Sequence, residues 1–241
     1  MTHGGRLALV VMAGLAAALA GAIAMAQDDY AAQREAMVDA LVADEIITDR
    51  RVIDAMRAVP RHEFVPAGQI DAAYEDAALP IGDGRMLIAP SYVGLMAEAL
   101  AVQPTDRVLE IGTGMGYEAA VLSTLARHVY TVEPDEGLAA AARQRLQALG
   151  YTNVTLRQGD GVTGWPEQAP FDRIIVNAAL GEIPQALIDQ LKDGGLMVIP
   201  LGEDGWAQKL YLVHKNGDAL ERTELADVIF APMTSTAGNG E

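Results

Sequence analysis

The chain has 241 residues, of which 51% are hydrophobic and 21% are charged, so it is long and apolar enough to form one α/β domain with a substantial core. Its formal net charge is −16 and it has no lysine–arginine cluster, which argues against a nucleic-acid partner because such a surface repels phosphate backbones. The absence of cysteine excludes disulfides, thiolate catalysis and cysteine-ligated metals. No metal site is predicted, because close metal-ligand spacing is lacking among His3, His62, His128 and His214.

The amino terminus has the pattern of an export signal. Residues 1–6 are basic, residues 7–25 are an uncharged apolar run, and Ala24-Met-Ala26 offers small residues at both positions that an export peptidase reads. We predict a signal peptide over residues 1–26, cleaved after Ala26. The main alternative is an uncleaved membrane anchor through residues 7–25. Either outcome places the folded part outside the cytoplasmic membrane, in the periplasm or anchored to the membrane's outer side. A mis-assigned start codon would instead leave the protein in the cytoplasm.

Residues 27–106 are predicted to form a helical and loop-rich region on the substrate side of the molecule. Tyr30–Ala43 and Asp49–Ala58 have the apolar periodicity and the boundary residues of helices. Leu79–Pro90 is predicted to be extended, and Ser91–Ala101 is predicted to be a third helix. We expect this region to pack against the rest of the chain as one compact domain.

Residues 107–241 are predicted to alternate strands with helices. Such an alternation indicates a parallel sheet that is covered by helices. The predicted strands are Val108–Ile111, Val129–Glu133, Val154–Arg157, Arg173–Val176 and Leu196–Pro200. The predicted helices are Tyr117–Ala126, Asp135–Leu149 and Ile183–Leu191. Two closing strands are predicted at Lys209–His214 and Leu225–Phe230, joined through the turn dipeptide Asn216-Gly217.

A glycine-rich segment follows the first of these strands. Gly112, Gly114 and Gly116 alternate between the buried-strand pattern and a helix-forming run. Glycines at these places let the backbone turn sharply and approach a ligand closely, because no Cβ is in the way. Glu133 ends the next strand, where a carboxylate can accept hydrogen bonds from ribose hydroxyls. The structural alternative is that the glycines only let the helix pack close to the sheet.

A third ligand signal follows the third strand, at Asp160-Gly161. Asp160 is placed where an adenine amino group can be recognised, and its structural alternative is a turn former beside two glycines. The glycine spacing and the leading Glu110 depart from the dinucleotide pattern and suit an adenosyl ligand without a pyrophosphate, which points to S-adenosylmethionine. The predicted cofactor-binding residues are Glu110, Gly112, Thr113, Gly114, Gly116, Glu133, Asp160 and Gly161.

From about Gln33 to Thr234 the chain resembles the protein-L-isoaspartate O-methyltransferase family. The matching blocks include Arg57–Pro66, Ala73–Asp76, Leu79–Gly82, Val108–Val121, Val129–Glu133, Leu149–Val154, Phe171–Val176, Leu191–Pro200 and Phe230–Pro232. The resemblance implies a Rossmann-like S-adenosylmethionine-dependent methyltransferase fold, an α/β fold with a mostly parallel seven-stranded sheet and helices on both faces. It implies methyl transfer from S-adenosylmethionine to a protein or peptide with an isoaspartyl or other carboxylate. The methyl ester then closes to a succinimide, which starts protein repair.

One segment departs from the family's pattern at the place where the acceptor is held. The family reads Gln-Thr-Ile-Ser-x-Pro, and its threonine and serine hydroxyls face the isoaspartyl carboxylate and the donor. Aligned through Pro90, the two catalytic positions hold Met86 and Ile88, so both hydroxyls are lost. Each lost hydrogen bond to a carboxylate costs about 1 to 3 kcal/mol. Pro90 and Asn177 complete the predicted substrate pocket. Arg85 is expected to be a solvated surface residue, and its alternative role is to supply a compensating charge to the acceptor.

Two functions are therefore open on the sequence alone. The retained glycines and acidic residues favour an active S-adenosylmethionine-dependent carboxyl methyltransferase. The lost hydroxyls, the export signal and the acidic surface favour a non-catalytic relative that acts as an accessory or scaffold subunit of an envelope or respiratory complex. The balance of these features leans towards the enzyme.

Overall fold

Residues 29–106 of the amino-terminal region contain three α-helices and one β-hairpin. The structure, a computed structural model, describes residues 29–202 and 208–233. The elements are α1 (residues 29–43), α2 (Arg50–Ala58), β1 (Leu79–Gly82), β2 (Arg85–Leu87) and α3 (Pro90–Ala99), with 3-10 turns at Arg61–Phe64 and Ala67–Ala72. The predicted helices are confirmed. The segment predicted to be extended is a hairpin, because Asp83 and Gly84 take positive φ and turn the chain back.

Seven strands of the described residues form one twisted sheet around which the other elements pack. They are β3 (Arg107–Ile111), β4 (His128–Glu133), β5 (Val154–Gln158), β6 (Phe171–Val176), β7 (Leu191–Leu201), β8 (Gln208–Asn216) and β9 (Ala219–Val228). The spatial order is β5-β4-β3-β6-β7-β8-β9. The first five strands pair in parallel, whereas β8 pairs antiparallel with both β7 and β9. The mostly parallel seven-stranded α/β sheet is thus confirmed.

The helices of the sheet region follow the predicted order. They are α4 (Tyr117–Leu125), α5 (Glu136–Ala148) and α6 (Gln185–Gln190), with 3-10 turns at Gly161–Thr163 and Pro166–Gln168. Every strand of this sheet is longer than predicted, and β7 and β9 differ from their predicted lengths by the most. Strand β7 begins at Leu191, since an irregularity in its pairing with β6 accommodates Gly194 and Gly195. Strand β9 begins at Ala219, and a bulge in its pairing with β8 leaves Leu225 without a partner of its own.

The apolar core lies on both faces of the sheet. Neighbouring residues of one strand point to opposite faces, so Val108 packs into one cluster and Leu109 into the other. The first cluster also contains buried residues of α2, α3 and α4, whereas the second contains Leu187 of α6. Helices therefore cover both faces, as predicted, and the amino-terminal region shares the larger cluster with the strands.

The predicted leader lies outside the described residues, because residues 1–28 are not among them. The signal peptide over residues 1–26 and the alternative anchor through residues 7–25 therefore stay predictions. Among the helices of residues 29–202 and 208–233, none is long and apolar enough to cross a membrane.

Candidate functional site

A cavity of about 350 Å³ opens at the carboxyl ends of β3, β4 and β6. The β1–β2 hairpin and residues 231–233 form its other walls. This edge of a parallel sheet is where α/β folds bind ligands. The predicted site residues that line the cavity are Met86, Ile88, Gly112, Thr113, Gly114, Glu133, Gly161 and Asn177. The cofactor half and the acceptor half of the predicted site therefore share one space.

Gly112 lets the backbone after β3 pass close to the end of β6. Its φ is +90°, and a Cβ at this position would stand 3.2 Å from Cβ of Asn177. The Gly112 N–H donates to the Val132 carbonyl at 2.9 Å, and the Asn177 N–H donates to the Ile111 carbonyl at 2.9 Å. A side chain at residue 112 would be both strained and crowded. The loop therefore presents bare backbone to the cavity.

Glu133 is held at the cavity by two backbone donors. Its Oε2 accepts from the Gly114 N–H at 2.8 Å, and its Oε1 accepts from the Asp135 N–H at 3.2 Å. Burial raises the pKa of Glu133 above its usual value, while these two hydrogen bonds act in the opposite direction. The carboxylate thus fixes the glycine loop and keeps lone pairs for hydroxyl donors of a ligand.

Arg85 spans the mouth of the cavity, which corrects the expectation that it is a solvated surface residue. Its Nη1 lies 2.8 Å from Asp135 Oδ2, and its Nη2 lies 2.9 Å from Asp83 Oδ2. The hydrogen bond to Asp135 raises the pKa of Arg85. Asp135 also caps α5 by accepting from the Leu138 N–H at 2.7 Å. The ion pair therefore ties the hairpin to the start of α5, and its charge is balanced by two aspartates.

Glu118 places a carboxyl group on the cavity wall, with Glu110 directly behind it. Glu118 is 4% exposed and lines the cavity, whereas Glu110 is fully buried and lies outside the lining. Asn177 Nδ2 donates to Glu118 Oε2, and Thr131 Oγ1 donates to Glu110 Oε2 at 2.5 Å. Thr113 meets the same Thr131 hydroxyl at 2.6 Å. The predicted residues Glu110 and Thr113 are thus joined in one buried network.

Burial raises the pKa values of both carboxyl groups. Burial raises the pKa of Glu118 to about 7, and burial together with the neighbouring Glu118 charge raises the pKa of Glu110 well above its usual value. Among the described residues, Oε1 of each group is buried without a hydrogen-bond partner. Because burial disfavours the charged form of each group, Glu110 favours its protonated form, and Glu118 is the group whose pKa lies near neutral pH.

Besides Glu110, three predicted site residues lie outside the cavity lining, namely Gly116, Asp160 and Pro90. A Cβ on Gly116 would stand 3.3 Å from Leu146, so this glycine lets α4 start against α5. Asp160 caps the 3-10 turn that follows β5, where its Oδ1 accepts from the Val162 N–H at 2.9 Å. Pro90 is buried as the first residue of α3. For Gly116 and Asp160, the structural alternatives of close helix packing and turn formation describe these contacts.

Arg61 holds the acceptor segment from behind. It is fully buried, its Nη2 donates to the Ile88 carbonyl at 2.8 Å, and its Nε donates to the Ala73 carbonyl at 2.9 Å. Its guanidinium lies 4.7 Å from the ring centroid of Tyr117, which also lines the cavity. Burial lowers the pKa of Arg61. Ile88 is partly buried on the cavity wall, and Met86 is 47% exposed at the mouth.

Glu118 is the site residue that sequence reasoning missed. A signal was present, because this acidic residue is the one charged residue of its helix and stands at the start of it, directly after the glycine loop. An acidic residue in the first turn also suits the helix dipole, so that position has an ordinary structural explanation. Only the contact with Asn177, which follows β6, shows that the side chain points inward.

The sheet order, the glycine loop at the end of β3 and the acidic residue at the end of β4 define the class of Rossmann-like methyltransferases. The family model described as protein-L-isoaspartate(D-aspartate) O-methyltransferase (PCMT) matches residues 32–238. The chain belongs to this family.

Similar proteins agree with that assignment. The protein-L-isoaspartate O-methyltransferase of Roseiflexus sp. (strain RS-1) is 51% identical over 205 residues, which cover 85% of this chain and 93% of the relative. Protein-L-isoaspartate O-methyltransferase 2 of Syntrophobacter fumaroxidans is 45% identical over 237 residues, covering 94% and 96%. A solved protein-L-isoaspartate O-methyltransferase has a TM-score of 0.78 and 30% identity, covering 86% of this chain and 67% of that chain.

A second solved structure supports the fold. It is a Plasmodium falciparum protein described as a protein-L-isoaspartate O-methyltransferase (PCMT) in complex with S-adenosyl-L-homocysteine, and it matches with a TM-score of 0.72 at 22% identity. The match covers 83% of this chain and 98% of that chain. The family match and the relatives at 45% and 51% identity favour the enzyme over the alternative of a non-catalytic accessory subunit.

Proposed function

We propose that this chain transfers a methyl group from S-adenosylmethionine to the α-carboxylate of isoaspartyl residues in proteins or peptides, the first step of their repair. One observation carries the proposal. The glycine loop and Glu133 line the same cavity as the acceptor segment at Met86 and Ile88. Support comes from family membership and from relatives that cover nearly the whole chain.

The polar lining fits the methyl donor. Glu133 supplies carboxylate oxygens, and Asn177 Oδ1 is buried without a hydrogen-bond donor among the described residues. Such acceptors suit ribose hydroxyls and an ammonium group. The positive charge of Arg85 is balanced by Asp83 and Asp135, so the lining gives little attraction to a pyrophosphate.

The chemistry asks mainly for alignment and for exclusion of water. When bound, S-adenosylmethionine supplies a sulfonium methyl group that is already activated for attack by a carboxylate. Gly112 and Gly114 bring backbone against the donor side, and Glu133 orients it through hydroxyl hydrogen bonds. Ile88 provides an apolar wall that removes water from the acceptor carboxylate, and Arg61 fixes the backbone of that wall.

The direct test measures methyl transfer from labelled S-adenosylmethionine to a synthetic isoaspartyl peptide, with the matching aspartyl peptide as control. We expect label on the isoaspartyl peptide alone, as a base-labile ester. Saturable donor binding without transfer to any isoaspartyl peptide would contradict the proposal and support the non-catalytic alternative.

Restoring the lost hydroxyls is expected to speed the reaction. In the same assay, the double variant Met86→Thr, Ile88→Ser should raise kcat/KM by roughly tenfold or more, because a hydrogen bond to a charged group contributes about 1.5 to 3 kcal/mol. The double variant Met86→Val, Ile88→Ala has similar shapes without hydroxyls and serves as the control. Equal rates for the two double variants would show that hydroxyls at these positions do not contact the acceptor.

We also propose that the chain is exported and cleaved after Ala26. The support is the pattern of residues 1–26, a basic start, an apolar run and small residues at the cleavage positions. Amino-terminal sequencing of the protein from its native envelope fraction should begin at Gln27. An intact Met1 in the membrane fraction would indicate the anchor, and an intact Met1 in the cytoplasm would overturn export.

A further inference from the structure

We propose that Glu118 makes the cavity prefer the cationic methyl donor over its product, and that it does so by giving up a proton when the donor binds. The proposal rests on the proposed function, since it takes the two ligands to be S-adenosylmethionine and S-adenosylhomocysteine. These ligands share every hydrogen-bonding group and differ in the methyl group and its positive charge on sulfur. A charged side chain on the cavity wall can therefore distinguish the two ligands.

The position of Glu118 gives its charge a strong effect. The carboxyl group lines the cavity, yet the residue is 4% exposed, so little water screens it. Coulomb interactions in such a poorly solvated place are several times larger than in bulk water. Asn177 fixes the carboxyl by donating to Oε2, and Oε1 has no hydrogen-bond partner among the described residues.

The surrounding charges make Glu118 the responsive group. Glu110 on β3 lies behind it and keeps its own proton, and Glu133 at the end of β4 is already held by two backbone N–H groups. Arg85, the cation on the hairpin wall, is paired with Asp83 and Asp135. A ligand cation entering this lining therefore meets a partly protonated Glu118, whose proton passes to solvent as the carboxylate forms.

Calorimetry of the full chain with each ligand tests the proposal. Titrations at pH 6, 7 and 8, in two buffers of different ionisation enthalpy, give the affinity and the number of protons released. Wild-type protein should release protons with S-adenosylmethionine at pH 6 and 7, fewer at pH 8, and fewer throughout with S-adenosylhomocysteine. Glu118→Gln should abolish that release and lower the donor-to-product affinity ratio about tenfold.

Two further variants separate charge from packing. Glu136→Gln, an exposed change of the same charge on α5, should leave the ratio unchanged. Glu110→Gln keeps a neutral donor behind Glu118, so it should preserve the donor-to-product affinity ratio. If the two glutamates had a purely structural role, Glu110→Gln and Glu118→Gln would lower that ratio equally. An unchanged ratio in Glu118→Gln, or equal losses in both buried variants, would overturn the proposal.

The pH dependence of thermal stability gives a second test, which is made on the protein without ligand. Because burial raises the pKa of Glu118 to about 7, the folded state favours the protonated form, and stability is lost as pH rises from the unfolded value through pH 7. The Tm of wild type should fall between pH 5 and pH 8 by more than that of Glu118→Gln. Identical falls would count against the proposal. If wild type binds neither ligand, the proposed function itself fails, an outcome distinct from binding with an unaltered ratio.

Discussion

Replacing Glu133 with alanine is expected to weaken the binding of S-adenosylhomocysteine by at least about 100-fold, because two hydrogen bonds to a charged group are lost and each contributes about 1.5 to 3 kcal/mol. The same change leaves the Gly114 N–H and the Asp135 N–H without their acceptor, so the glycine loop also loses its anchor. Both effects act on the same side of the cavity. Isothermal titration calorimetry gives the dissociation constant directly.

The control for this prediction is Glu136→Ala, which removes an exposed carboxylate from the first turn of α5. It should bind the ligand as wild type does. Glu133→Gln, which keeps the shape and one acceptor oxygen, should fall between the two. Binding by Glu133→Ala within threefold of wild type would mean that the ribose hydroxyls are recognised elsewhere.

Replacing Arg61 with methionine is expected to destabilise the fold by about 2 to 4 kcal/mol, since one buried and one partly buried carbonyl group lose their donors. These are the carbonyls of Ala73 and Ile88, which belong to two segments of the connection between α2 and α3. The stacking of the guanidinium over Tyr117 is lost as well. Removing a buried cation relieves its desolvation, which offsets part of the loss. Urea unfolding at neutral pH measures the change in the free energy of unfolding.

Arg50→Met is the matched control for Arg61, because Arg50 is exposed and pairs with Asp54 on the surface of α2. We expect a change below about 0.5 kcal/mol for it. Arg61→Lys keeps the charge but not the two-pronged geometry, so it should recover less than half of the lost stability. A free energy of unfolding for Arg61→Met equal to that of Arg50→Met would show that the two carbonyls find other donors.

The donor side of the site could be predicted because its signals are local. A buried strand, alternating glycines and a helix occupy one short stretch, and Glu133 closes the next strand by the same rule. Parallel pairing of β3 with β4 then brings the two together. Where such a local signal is missing, the prediction is less accurate. The first half of β9 consists mostly of exposed residues without apolar alternation, so the sequence predicts too short a strand there.

The rest depends on contacts between distant parts of the chain. Arg85 forms an ion pair with Asp135, which is 50 positions away in the sequence, and the residues near Arg85 do not indicate that partner. Glu118 is turned inward by Asn177 from another strand end. Asp160 has the residue type and the position of a ligand contact, but the structure shows its Oδ1 capping the following turn. Residue type and strand order predict a region of the site, whereas side-chain partners decide which members of the region face the ligand.

The outer strand of the sheet bears on how this acidic chain behaves at high concentration. Among residues 29–202 and 208–233, strand β9 pairs with β8 alone, so its other side offers backbone groups on which a strand from a second molecule could add. Its exposed residues include Glu221, Arg222 and Glu224, and the bulge at Leu225 breaks the straight run of backbone donors and acceptors. A second copy would have to match that irregular register and bring like charges together. The long hairpin that completes the sheet thus resists edge-to-edge aggregation.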